Sequence, residues 1–144
     1  MKKTATLFCF FILLMVQCKS PNTVSGSTAN LENTYWKLDQ MNGQPVLTPD
    51  GSREVHMVLS AEGAERRIKG FAGCNNIGGS YTLDGSKIKF TTISTKMFCQ
   101  DRMDIENFFL NVLNQADSYK IVGETLELYQ GNTLLTSFKS VYLK

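Results

Sequence analysis

Only one segment of this chain has helical spacing, and nearly everything else after residue 34 is short alternating runs broken by turn pairs. That asymmetry constrains the fold more than any other feature. From Asp101 onward the apolar residues Ile105, Phe108, Phe109, Val112, Leu113 and Ala116 recur at i, i+3, i+4, i+7 and i+8, which predicts one amphipathic helix. Asp101 is placed to cap it, and Asp104 falls in the first turn, where the helix dipole favours a negative charge. A stripe of this kind is a packing face rather than a cofactor site. Strands are expected at residues 35–38, 55–59, 66–71, 119–122, 125–129 and 133–138, with 141–143 as an extension. Residues 80–83 and 87–90 flank Asp84-Gly85 as the clearest hairpin. The other turns are Asn42-Gly43, Pro49-Asp50-Gly51, Glu62-Gly63, Gly123-Glu124 and Gly131-Asn132. The expected fold class is mostly β with one α-helix, a small antiparallel β-barrel-like curled sheet. No repeat of fixed period is present.

The N-terminus has a different logic. Lys2 and Lys3 precede a continuous apolar run over residues 7–16, which is shorter than the roughly 20 residues of a membrane span and fits the core of a signal peptide. The run ends at Met15-Val16-Gln17-Cys18, which resembles a bacterial lipobox. Met15 and Gln17 depart from the usual pattern, and plain secretion or an uncleaved anchor are the alternatives. The expected division is a signal peptide at 1–17, a lipidated N-terminus at Cys18 with a flexible Ser-, Thr-, Asn- and Gly-rich tether at 18–33, and one folded domain at 34–144. Acyl chains such as palmitate on Cys18 would make the membrane the first partner, with the bacterial cell envelope, its outer membrane favoured, as the location. Without Lys2 and Lys3 the 15 basic residues become 13, equal to the 13 acidic ones, so no global basic field points to nucleic acid. The 42% hydrophobic content and 144-residue length suit one ordinary globular domain, expected to be a monomer.

The most informative stretch is residues 70–81, GFAGCNNIGGSY. Its four glycines imply special backbone geometry, either positive φ, a bulge or close approach of chains. No Gly-Lys-Ser/Thr and no helix follow, so a bulged corner between two strands is preferred to a phosphate cradle. The pattern G-x-x-G-C-N-x-x-x-G-x-Y, carried by Gly70, Gly73, Cys74, Asn75, Gly79 and Tyr81, resembles the signature of the META domain, the family of the bacterial heat-shock protein HslJ. Trp36-Lys37-Leu38 resembles the family's opening W-x-L. Thr95, Met97 and Cys99 match its T-x-M-A-C motif, with Phe98 in place of the common Ala. The helix with Glu106 and Phe109 and the run from Tyr119 to Leu128 agree as well. The resemblance implies a small antiparallel barrel-like fold with one helix, frequent export or lipid anchoring, and links to heat stress or novobiocin resistance. It brings no agreed catalytic activity, and no catalytic residue or cofactor is carried over.

Candidate sites are few. Cys9 lies in the signal and Cys18 is the lipid site, which leaves Cys74 and Cys99 as an even pair in an exported chain. A disulfide is the simplest reading, with two buried reduced thiols or a reactive thiol as the alternatives. His56 is the only histidine and sits inside a predicted strand. Two Cys and one His without a short C-x-x-C spacing give no metal expectation. Asp101, Asp104 and Glu106 are acidic residues at the helix start. Arg66, Arg67 and Lys69 divide between the faces of a strand. Asn75 and Asn76 are expected to serve the corner through left-handed backbone or side-chain-to-backbone bonds. The expected function is that of a non-catalytic envelope lipoprotein, a stress-related binding or protective module. A thiol-dependent enzyme using Cys74 or Cys99 with His56, and a purely structural interaction domain, are the rivals.

Overall fold

The structure, a computed structural model, describes residues 28–142. The expected signal peptide, Cys18 and most of the proposed tether lie outside the described residues. In chain order the elements are β1 (Tyr35–Leu38), β2 (Gln40–Met41), β3 (Gln44–Pro45), β4 (His56–Glu62), β5 (Glu65–Phe71), β6 (Asn76–Asp84), β7 (Lys87–Ser94), α1 (Met103–Gln115), β8 (Ser118–Val122), β9 (Thr125–Gln130) and β10 (Thr133–Val141). Among the described residues no helix is long and apolar enough to cross a membrane.

Eight strands form one curled antiparallel sheet in the order β1-β10-β9-β8-β7-β6-β5-β4, and β4 pairs back onto β1. The β2–β3 hairpin, turned by Asn42 and Gly43 at positive φ, stands apart from that sheet. The wall is incomplete at one place, because β7 and β8 share a single register pair, Lys87 with Ser118. Above that point β7 continues to Ser94 without a β8 partner, and α1 covers the gap. The helix turns Phe109, Val112 and Leu113 inward, and the Phe109 ring meets Phe138 of β10 edge-on at 5.9 Å. Alternation along the strands supplies the remaining interior, with Trp36 and Leu38, Met57 and Leu59, and Leu126 and Leu128 all fully buried. The interior is packed with side chains.

Three expectations require correction. The helix begins at Met103 with Arg102 in the cap position and no side-chain cap bond. Asp101 is not the cap because the Arg102 amide closes a turn onto the Cys99 carbonyl at 3.1 Å, which leaves Asp101 one residue outside. The glycine-rich stretch is a corner only over residues 72–75. Ile77, Gly78 and Gly79 run within β6, in register with Ser94, Ile93 and Thr92. At Gly79 a side chain is excluded on two grounds: φ is +149°, and a Cβ would overlap the Thr91 carbonyl oxygen.

The third concerns the proposed tether, which reaches too far into the chain. Ala29 is buried and donates its amide to the Gly123 carbonyl at 2.9 Å, while the Trp36 indole donates to the Leu31 carbonyl at 2.9 Å. The domain therefore starts before Thr34. One apolar contact per few residues is enough to dock a strap but leaves no periodicity to read.

Candidate functional site

The glycine-rich corner, the segment before α1 and the first turn of α1 meet at one end of the sheet. Cys74 and Cys99 are joined by a disulfide, with Cα atoms 5.7 Å apart. The bond closes a 25-residue separation, which stabilises by about 3 kcal/mol in the chain-entropy model. Beside it Asn75 is 1% exposed and uses its whole side-chain amide. Nδ2 donates to the Met97 carbonyl at 2.9 Å and to Glu106 Oε1 at 2.7 Å. Oδ1 accepts from the Thr95 hydroxyl at 2.8 Å and the Met97 amide at 2.7 Å. Two donors and two acceptors are all that this side chain offers, so the site is saturated.

Glu106 completes the clasp. It is 3% exposed, and its Oε2 accepts the backbone amides of Cys74 at 3.0 Å and Asn75 at 2.7 Å. A buried carboxylate needs such donors, and charge-assisted bonds of this kind exceed neutral ones in strength. The carboxylate thus satisfies a corner whose amides point away from any strand. The Asn75 prediction is met by side-chain bonds to backbone. Left-handed backbone is found instead at Asn33 and Asn42, while neither Asn75 nor Asn76 has positive φ. Gly73 lies directly against Ile105 of α1, where a Cβ would crowd the side chain.

The remaining motif residues do not join this cluster. Gly70 packs on β4, where a Cβ would overlap the His56 carbonyl oxygen. Tyr81 is buried in β6 and donates its hydroxyl to Glu32 Oε1 at 2.6 Å. Burial, and next the bond to Glu32, hold that phenol far above its usual pKa. Asp101 and Asp104 are exposed and separate from the buried Glu106. Met97 and Phe98 project outward, 62% and 80% exposed, although the backbone between them and Cys74 is pinned.

His56 stacks on Tyr35 with ring centroids 4.3 Å apart, and its Nδ1 lies 2.9 Å from the Glu54 carbonyl. Burial holds its pKa below the ordinary histidine value. Both sulfurs of the candidate thiol pair are bonded to one another, so neither supplies a thiolate to this imidazole. Among the described residues no cluster of three metal-ligating side chains occurs.

Comparison with known proteins agrees with this geometry. The sequence pattern of the META domain matches residues 29–142, which is most of the chain. The chain belongs to the META domain family. Its lower boundary, residue 29, is also where the strap begins to pack. A solved NMR structure of a protein from Burkholderia xenovorans is similar to this META protein, with 27% identity, a TM-score of 0.62, and coverage of 85% of this chain and 96% of that one. A second NMR structure is similar in fold, with 18% identity, a TM-score of 0.59, and coverage of 76% and 90%. No curated protein matches the sequence. The resemblance read from the motifs is therefore correct, and Glu106 is the hydrogen-bond partner of the Cys-Asn motif that its position in the first helical turn disguised.

Proposed function

We propose that this META protein is an exported lipoprotein of the bacterial cell envelope, anchored through Cys18, that acts as a non-catalytic, stress-related binding or protective module. The observation that carries the reading is the use to which the family motif is put. Cys74, Asn75, Thr95, Met97, Cys99 and Glu106 satisfy one another, so the sulfurs and the buried carboxylate of the motif are taken up in holding the corner. The packed interior, with Trp36, Phe109 and Phe138 at its centre, favours binding on the outer surface over binding in a chamber. The bonded sulfurs count against the thiol-enzyme reading. The lipobox-like Cys18 and the apolar run before it support anchoring.

The test is labelling of the expressed chain with radioactive palmitate, followed by separation of membrane from soluble material. The wild-type protein should carry label and sediment with membranes, and Cys18→Ser should lose both. Equal membrane retention and no label in either protein would overturn the anchored reading.

A structural interaction domain has one specific observation in its favour: Leu47, Ile93, Met97 and Phe98 are all strongly exposed apolar side chains. Chemical cross-linking in intact cells separates the two readings. A single dominant adduct lost in Met97→Ser with Phe98→Ser would favour the structural role.

A further inference from the structure

Buried polar groups are normally hydrogen-bonded, and an exception calls for an explanation. Among the described residues the buried side chains of Thr34, Asn75, Glu106, Thr136 and Ser137 all have partners. His56, 9% exposed, has one for only one of its two nitrogens. Its Nδ1 lies 2.9 Å from the Glu54 carbonyl, which can only accept, so Nδ1 carries the proton of the neutral ring. Nε2 is then a bare lone pair, with no partner among the described residues.

The imidazole lines a depression of about 280 Å³ on the outer face of the sheet, and the other polar side chains that line it are Arg53, Lys69 and Asn76. The Arg53 guanidinium rests on the Phe71 ring, 4.4 Å from its centroid, and donates to Asn76 Oδ1 at 2.8 Å. Those contacts fix the cation in place and leave its other donors unused. Among the described residues neither Arg53 nor Lys69 pairs with a carboxylate. No carboxylate lines the depression, and the neighbouring Glu54 is taken by Lys37 at 2.6 Å. Folding accounts for the Nδ1 bond and for the Tyr35 stack, which sets the plane of the ring. It does not account for an open Nε2 that shares a depression with two unpaired cations.

Two cations favour an anion, whereas a bare Nε2 requires a donor. A carboxylate or a sulfate has no proton to give near neutral pH. A phosphate monoester has both, because its second pKa lies near about 6 and its monoanion carries a P–O–H beside charged oxygens. We propose that this depression binds a phosphomonoester group, with Arg53 and Lys69 on its charged oxygens and His56 Nε2 accepting its remaining proton. Whether that proton stays on oxygen or passes to Nε2, the bound pair shares one proton. The charged and titratable groups around the ring are Tyr35 and Lys37 of β1, Arg53 and Glu54 before β4, and Lys69 of β5. Burial lowers the imidazole pKa most and Arg53 adds to it, against a smaller rise from Glu54, so the free ring is the neutral acceptor near neutral pH. Affinity therefore falls as pH rises and the ligand loses its proton. The inference deepens the binding-module reading and is independent of the Cys18 anchor, so failure of the palmitate test leaves it intact.

The experiment is an NMR titration of the ¹⁵N-labelled full chain in non-ionic detergent micelles. The soluble probes are glycerol 3-phosphate and sulfate. Glycerol 3-phosphate at about pH 6 should give saturable shifts at the His56 ring nitrogens and at the amides of Lys69 and Asn76, with a Kd of about 1 mM or tighter. Sulfate should bind about tenfold more weakly or worse, and the phosphate ester should weaken by about tenfold or more at about pH 8. Lys69→Ala, a change at an exposed side chain, should weaken binding about fivefold while leaving the Trp36 indole signal unmoved. Micelles doped with phosphatidic acid, against phosphatidylcholine as the diester control, separate the sources. The same shifts with phosphatidic acid support a lipid headgroup as the ligand, and shifts with the soluble ester alone support a free phosphate ester. Four results overturn the proposal: no saturable shift with the soluble ester, sulfate binding as tightly as the ester, equal ester affinity at both pH values, or full affinity in Lys69→Ala.

Discussion

Glu106 and Asn75, 31 residues apart in sequence, are joined twice: the Asn75 amide reaches Glu106 Oε2 at 2.7 Å, and its Nδ2 reaches Oε1 at 2.7 Å. The carboxylate also holds the Cys74 amide, so one side chain on the helix carries the backbone of the family motif. Glu106→Ala should destabilise the domain by about 4 kcal/mol, because it strands buried donors that water cannot reach. Glu106→Gln keeps the shape but turns one acceptor into a donor, and should cost about 2 kcal/mol. Urea unfolding followed by Trp36 fluorescence checks both values and their order.

The disulfide and the Asn75 fork pin the same loop. Reduction alone should lower stability by about 3 kcal/mol while leaving the 95–97 backbone in place through Asn75. Asn75→Ala should therefore cost more in the reduced protein than in the oxidised one. A double-mutant cycle across Asn75→Ala and Cys74→Ala with Cys99→Ala measures the coupling. Purely additive losses would mean that the two devices act independently.

Much of this fold can be read from residue order. The alternating runs, the Asp84-Gly85 hairpin and the single apolar stripe each correspond to an observed element, because period and turn chemistry are local properties. The clasp is less legible. Glu106 lies where a negative charge suits a helix dipole, so its partners 31 and 32 residues upstream have no local signature. The strap was hidden for the opposite reason: residues 29–33 carry only Ala29 and Leu31 as apolar side chains, and their docking depends on Glu32 and on backbone bonds. Gly78 and Gly79 resemble a break in sequence. Both instead lie within β6, where Gly79 lets the strand pass close to β7 and a Cβ at Gly78 would make only ordinary contact with β5.

Gly79 supports a simple comparison. Gly79→Ala must relieve an overlap with the Thr91 carbonyl and leave a φ that L residues rarely adopt, and should cost about 3 kcal/mol. Gly85→Ala also meets positive φ, but nothing lies near its Cβ, so about 1 kcal/mol is expected. Thermal unfolding of the two variants reports the difference.

His56 sets a pH dependence. Burial lowers its folded pKa below the unfolded value, with Tyr35 stacked on one face and Arg53 adding a smaller push in the same direction. The unfolded chain then binds the proton first, so stability is full above about pH 6.5 and falls as pH drops towards the folded pKa. His56→Gln should flatten the urea midpoint between pH 7 and 5 relative to wild type. Parallel profiles would remove His56 as the cause.

The central claim is that the META motif is a structural clasp closed by Glu106. Hydrogen exchange at the Cys74 and Asn75 amides tests it most directly. Both should exchange as slowly as the amides of the β5–β6 ladder in the wild-type protein, and both should lose protection selectively in Glu106→Ala, which removes the oxygen that accepts them. Fast exchange of the two amides in the wild type, or unchanged protection in the variant, would contradict the account.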